Sequence, residues 1–458
     1  MNQSINQILQ QGATALNNGN FEKAENLYRI VLETQSTHPD ANNNLGITLH
    51  KLNRFDEAII SYKRAIKFNP EFSMAYNNLG ITLKVLGHYD EAEVNYRKAI
   101  ELKEDFALAH NNLGEIFEII KKYNEAEISY KKAIELKPNY PEFYYNLGNM
   151  FTKIDRLDEA VSNYNKAILL KPNYKIALLN RGQILFDKGQ FELSLIDFDK
   201  CNNEDSRSRS LASLYSLKKI YDIYQRINTY SKFDYKNIRI AAFSSFIEFK
   251  EKKDTTFNFC KNPIDFISYS NISSHLEKPK LFINEIINEL QSIETKWEPM
   301  GKTTVKGFQS RPNLFINPQK NILTLKSIIT SEIDKYQLRF KNKICTFIKD
   351  FPSLRNLACW HVILKKQGHQ NAHIHPGGWL SGVIYLKVAP DLGKDEGAIE
   401  FSLNGEHYTD FSSPKIIYRP KIGDIVLFPS SLHHKTIPFT SDTDRVSIAF
   451  DLMPNYYK

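Results

Sequence analysis

Cysteine is scarce in this chain. Four are spread over 458 residues (Cys201, Cys260, Cys345, Cys359), with no CxxC pair among them. That excludes a disulfide framework or a thiolate zinc knuckle and reads as core thiols. Long apolar runs are absent too: no stretch approaches the ~18 residues of a membrane span. The opening MNQSINQILQQGATALNNGN has neither the basic start nor the apolar core of a signal peptide, so a cytoplasmic protein is expected. There is no block of one charge sign. The formal charge is +8, with Lys and Arg interleaved among Asp and Glu, and no nucleic-acid partner is expected. An apolar fraction of 42% and a charged fraction of 24% are ordinary for a globular protein, and the length allows two or three domains.

What the first two hundred residues do have is a period. NNLGITLHKLNRFDEAIISYKRAI, NNLGITLKVLGHYDEAEVNYRKAI, NNLGEIFEIIKKYNEAEISYKKAI, YNLGNMFTKIDRLDEAVSNYNKAI and the weaker LNRGQILFDKGQFELSLIDFDKC place Gly46, Gly80, Gly114, Gly148 and Gly182 at a step of 34, and Gly12 extends the series backwards. This is the tetratricopeptide signature of paired helices. The glycine lets one helix approach the next. Ala58, Ala92, Ala126 and Ala160 are the matching small residues, Tyr62, Tyr96, Tyr130 and Tyr164 fill the space between units, and Pro70, Pro138 and Pro172 stop the second helix. Two residues before each glycine stand Asn44, Asn78, Asn112, Asn146 and Asn180. A row of amides on the concave face can pair with an extended peptide, since each both donates and accepts. The row resembles that of the O-linked N-acetylglucosamine transferases; equally, it reads as solvated surface.

NNEDSRSRS after Cys201 is polar and aperiodic and reads as the end of the solenoid. Leu214, Leu217, Tyr221 and Tyr224 then fall on a helical period and read as a connector with no catalytic residue. Gly301-Lys302-Thr303-Thr304 ends like a phosphate loop but lacks that motif's first glycine, and is set aside.

From Leu357 onward, seven β-rich runs alternate with turns: LACWHVILKK, WLSGVIYLKV, GAIEFSL, PKIIYRP, DIVLFPS, HKTIPFT and RVSIAFDL. They predict an all-β barrel or jelly roll. Seven of the twelve histidines lie between His361 and His434. His373 and His375 precede one strand, His433 and His434 follow another, and Arg445 and Ser447 open the last. Single histidines at His361, His369 and His407 read as structural, supporting or loop residues. Two histidines spaced by two beside a turn, with a third at a distant strand end, read as metal ligands.

HxH, WLSGVIYL, GDIVLFPSSLHH and RVSIAF together resemble the iron- and 2-oxoglutarate-dependent oxygenases of the prolyl-hydroxylase type, over roughly residues 255 to 458. That resemblance implies a double-stranded β-helix (jelly roll) with flanking helices, Fe(2+) and the cosubstrate 2-oxoglutarate. It implies His434 as the distal ligand and Arg445, with Ser447 beside it, on the far carboxylate of the keto acid. Asn371 and Tyr385 are weaker candidates for orienting that acid. The family's usual acidic ligand is missing. Either His373, His375 and His434 form a three-histidine face, or His375 takes the first position and Gly377 leaves the acid's place vacant.

The expected organisation is a repeat solenoid at 1–204, a helical connector at 205–254 and an oxygenase-like domain at 255–458. The expected function is hydroxylation of a protein or peptide held in the groove of the repeats. A three-histidine cupin-like enzyme that does not use 2-oxoglutarate, or a non-catalytic scaffold, fits the same residues.

Overall fold

A computed structural model describes residues 4–299, 302–311, 314–316, 318–390 and 393–455. Gly301 of the discarded loop motif lies outside them. The chain divides into two compact units, Met1–Lys188 and Gly189–Lys458, and the expected boundaries at 204 and 254 both fall inside the second.

The first unit is all helix, from Ile5–Asn17 to Lys175–Asp187 among the described residues. Helices of 13 and 14 residues alternate, as a 34-residue period requires. Each tyrosine lies against its own unit's glycine, which refines the between-unit role read from the sequence. A Cβ on Gly46 would stand 2.6 Å from Tyr62 Cε1, and one on Gly80 2.7 Å from Tyr96 Cε1. Those rings are fully buried, so the glycine is a socket. The prolines are not what ends the second helices: Tyr89–Leu102, followed by Glu104, stops at the same register as Phe55–Phe68, followed by Pro70.

The second unit opens with helices Phe191–Cys201, Glu204–Ser216, Ile220–Tyr230 and Ile238–Glu251. From Glu204 onward NNEDSRSRS is therefore helical, against the sequence reading. Asn203 caps it with a reciprocal bond to Ser206, and Ser206, Ser208 and Ser210 are buried where bulkier side chains would hold neighbouring helices apart. Their hydroxyls bond back to carbonyls three residues earlier, so burial leaves no orphan. The single connector helix expected around Leu217 is instead broken there, with Lys218 at φ 58°.

Ten strands follow among the described residues: β1 (Ser268–Asn271), β2 (Thr295–Trp297), β3 (Thr304–Ser310), β4 (Leu357–Gln370), β5 (Leu380–Lys387), β6 (Ile399–Ser402), β7 (Lys415–Tyr418), β8 (Asp424–Pro429), β9 (His433–Thr436) and β10 (Arg445–Leu452). They form a seven-stranded sheet, β1-β8-β5-β10-β4-β3-β2, and a three-stranded sheet, β7-β6-β9, with antiparallel pairing throughout. This sheet-rich region fits a jelly roll. Alternation splits the large sheet's residues between two cores. Ile384, Leu427, Ile448 and Phe450 pack with helices Pro279–Gln291 and Lys320–Phe340, while Val383, Tyr385, Val426 and Phe428 face Ile399 and Phe401 of the small sheet.

Candidate metal centre

The site forms where the two sheets meet. His373 bridges to His434: the N–H of each donates to the carbonyl of the other at 3.0 Å. His375 N–H donates to the Ser430 carbonyl at 3.0 Å, so the loop after β4 is tied to β9 and to the turn before it. The three imidazoles converge, each offering a ring nitrogen within 4.8 Å of the others. Of the two arrangements the sequence leaves open, this geometry is that of a three-histidine face. Gly377 has only Met453 Cε near, 3.9 Å from where its Cβ would be.

Each imidazole has its Nδ1 occupied. His373 Nδ1 lies 2.7 Å from the Asn371 carbonyl and His434 Nδ1 3.2 Å from the Leu432 carbonyl; each donates its N–H there. His375 Nδ1 donates to Asp451 Oδ1 at 2.6 Å. One tautomer is thus set on all three rings, and the Nε2 lone pairs are left for a cation. Burial, and next the neighbouring His375, pull His373 down to about 4. Burial drives His434 well below its usual value as well. Both are neutral, ligand-competent bases at pH 7.

Asp451 escaped the sequence reading. It is buried and also accepts from Ser381 Oγ at 2.7 Å. The acid missing from the ligand set stands one hydrogen bond behind His375. Gly378 makes room for it: a Cβ there would be 3.0 Å from Asp451 Cγ and 2.7 Å from Ser430 Oγ. Parity along β10 is the signal that could have found it, since Arg445, Ser447, Ala449 and Asp451 alternate onto one face.

Arg445, Ser447, Tyr385 and Thr436 line an inner cavity of about 30 Å³ with all three histidines. Arg445 is 2% exposed, its Nε has no hydrogen-bond partner, and its guanidinium lies 4.9 Å from the centre of the Tyr385 ring. The Tyr385 hydroxyl is equally without a partner, and burial pushes it up to about 12. A buried cation and a buried donor left unsatisfied are costly unless an anionic group meets them. These residues therefore fit a carboxylate beside a three-nitrogen metal site. Asn371 contributes its carbonyl to His373. His433 turns away, its ring 5.6 Å from Tyr408. His407 lies on the loop after β6. His361 is fully buried with no partner on either nitrogen. His369 bonds to the Gln367 carbonyl.

In the repeats, the asparagine row is already engaged. Asn78, Asn112 and Asn146 donate to Asn43, Asn77 and Asn111 of the preceding unit at 3.0, 2.9 and 3.0 Å, and Asn180 donates to Asn149 at 3.0 Å. Asn44 accepts from Asn43 at 3.2 Å. The asparagine just before the row residue, at Asn43, Asn77 and Asn111, was the cue for this ladder.

Residues 358–451 match the family model described as "Putative 2OG-Fe(II) oxygenase". That oxygenase family implies iron and 2-oxoglutarate, and a three-histidine site is present within the matched span. Tetratricopeptide-repeat models match residues 9–71, 73–106, 120–155 and 141–174. Such repeats generally bind peptides or proteins. Among solved structures, the chain is similar to TTC0263, a thermophilic TPR protein of Thermus thermophilus, at 22% identity and TM-score 0.36, over 40% of this chain and 100% of that one. It is also similar to YrrB, described as a TPR protein with an unusual peptide-binding site, at 22% identity and TM-score 0.34, over 42% and 97%. MamA matches at 25% identity and TM-score 0.32, over 35% and 94%. No curated protein matches the chain. Among the described residues no helix is long and apolar enough to cross a membrane.

Proposed function

We propose that the protein is an iron(II)- and 2-oxoglutarate-dependent oxygenase that hydroxylates a protein or peptide recruited by its repeats. The observation that carries this reading is the meeting, on one cavity, of three histidines and the unsatisfied Arg445. Bound there, iron(II) and 2-oxoglutarate would supply dioxygen-dependent hydroxylation of a C–H bond, the keto acid leaving as succinate and carbon dioxide.

The chain's own residues prepare that chemistry. His373, His375 and His434 would hold the metal through Nε2, each ring fixed by the acceptor on its Nδ1. Asp451 keeps negative charge close to a ligand set that has none of its own. Arg445 would meet the distal carboxylate of the keto acid, and the hydroxyls of Ser447 and Tyr385, which line the same cavity, would donate beside it. Phe428, 4.6 Å from the His434 ring, and Trp360, 5.6 Å from His375, wall the site against water.

The test is succinate release by the purified full chain supplied with iron(II), 2-oxoglutarate and ascorbate, with Arg445→Ala and His434→Ala as controls. Release lost in both variants supports the reading. Metal uptake by wild type without any keto-acid binding would favour the second reading, a cupin-like enzyme, for which the all-histidine ligand set speaks.

A further inference from the structure

The mouth of the metal site carries a second cationic group that the oxygenase reading leaves unused. Two outer cavities, of about 220 and 410 Å³, share Arg239, Thr303, His373 and Ile374. Arg209 lines the first and Lys302 the second. None of these three cations lines the inner cavity of Arg445. Arg209 and Arg239 come from helices Glu204–Ser216 and Ile238–Glu251, far before the barrel in sequence, and one acid serves both. Asp205 Oδ2 lies 3.2 Å from an Arg209 terminal nitrogen, and Asp205 Oδ1 lies 2.9 Å from Arg239 Nε. Arg239 is thereby placed by an ion pair at its inner nitrogen, although Asp205 Oδ1 accepts no hydrogen bond. Its two terminal nitrogens, the fork suited to carboxylate and phosphate, have no partner among the described residues.

The helix bearing Arg239 is fixed to the barrel. Phe243 and Phe246 pack on Tyr408 with ring centres 4.9 and 4.8 Å apart, and Lys250 pairs with Asp410. The acids lining the cavities do not cancel this charge. Asp451 is taken by His375, and Glu406 is largely exposed beside His407. A guanidinium carried on an anchored helix, its fork open, in a cavity that includes two of the three converging imidazoles, is arranged for an oxoanion close to the reacting position.

We propose that Arg239, with Arg209 beside it and Asp205 as its brace, is the substrate's anion-binding subsite: the substrate presents a carboxylate or phosphate there while the carbon to be oxidised faces the histidines. The proposal rests on the reading of the three histidines as an oxygenase centre. It names the substrate class for that centre: an acidic or phosphorylated segment of a polypeptide.

The test is calorimetric titration of the full chain, saturated with 2-oxoglutarate to fill the Arg445 site. The probes are three capped residues: N-acetyl-aspartate amide, N-acetyl-phosphoserine amide and the neutral N-acetyl-asparagine amide. The titration is run with and without iron(II) under anaerobic conditions. The aspartate or the phosphoserine probe binds and the asparagine probe does not; the tighter of the two identifies the anion. Arg239→Ala weakens that binding about ten- to hundredfold, the range for a lost charge-assisted bond. Arg239→Lys lies between, because it keeps the charge without the fork, and Asp205→Asn weakens it through Arg239. Equal binding of the aspartate and asparagine probes, or binding unaltered in folded Arg239→Ala and Arg239→Lys, overturns the proposal. Succinate release with no Arg239-dependent anion binding sinks the subsite and spares the oxygenase. Arg239-dependent binding in a protein that takes up no iron does the reverse.

Discussion

His375 Nδ1 and Asp451 Oδ1 are 2.6 Å apart, a proposed ligand on one loop and an acid on the last strand joined by a single proton. An imidazole so held can turn neither its ring nor its tautomer, and the acid behind it strengthens its other nitrogen as a ligand. Asp451→Asn should lower iron(II) affinity by about 10- to 100-fold, the usual loss for such a supporting acid. Gly378→Ala should do the same with Asp451 intact, because its methyl displaces the carboxylate. Competitive metal titration against a chelator measures both, and wild-type affinity in both would show the pair to be incidental.

His434→Ala removes a proposed ligand that is also part of the small sheet. Stoichiometric iron uptake should disappear at micromolar metal, while helical circular dichroism, dominated by the repeats, stays near wild type. Uptake indistinguishable from wild type would move the metal elsewhere.

Arg445→Ala should weaken 2-oxoglutarate by roughly 3–5 kcal/mol, the range for breaking a buried charge pair, and leave iron affinity nearly unchanged. Titrations of the keto acid and of the metal, run separately, check the split. A parallel loss of both would mean that Arg445 supports the fold.

Asn78 and Asn112 each make one inter-repeat bond and Asn146 makes two, to Asn111 and Glu115, each contributing about 0.5–1.5 kcal/mol net. Changing all three to Ala should therefore lower the melting temperature of the repeats as well as peptide capture. Asn77→Ala with Asn111→Ala removes two of the same bonds from the other side and leaves the row in place. Stability lost in both variants, with capture lost only in the first, separates the two roles. Equal capture in both would make the row a zipper alone.

Burial holds His361 down at about 4. An unfolded histidine titrates near 6.5. Between those values the unfolded chain binds a proton that the folded chain does not. Stability is therefore full above about pH 6.5 and falls as pH drops towards 4, by on the order of 3 kcal/mol from this group. His361→Leu should flatten that part of the curve in urea melts of the full chain; an unchanged slope would assign it to other groups.

Much of this molecule was legible in its sequence, for identifiable reasons. The seven runs from Leu357 onward correspond to β4 through β10, since each alternates or is continuously apolar between turns. β1, β2 and β3 were not read as strands: two are only three or four residues long, and all three lie at the margins of the large sheet, where burial is partial and alternation weak. The histidines were readable because their type and spacing are uncommon. Asp451 was not, because one acid near a strand end looks like any other until its parity with Arg445 is counted. Arg209 and Arg239 lie on helices whose own pattern is ordinary. Only the tertiary fold brings them to the histidines, and no local signal encodes that approach. The serine-rich start of the connector misled for a related reason: its polarity mimics a loop, while its small side chains serve close helix packing.

The order of strands in the large sheet has a consequence for how the protein is made. β10 sits between β5 and β4, yet it is synthesised after the other nine strands. On the ribosome the repeats can close one helical pair at a time, each needing only its neighbour. The sheet has a gap at its centre until β10 arrives, and β4 and β5 wait with open edges. Arg445, Ser447 and Asp451 come in with that strand, so the proposed keto-acid anchor and the acid behind His375 are installed by the same late event. A nascent chain arrested before Arg445 would therefore carry finished repeats and an unclosed sheet, which is the stage at which a chaperone has most to protect.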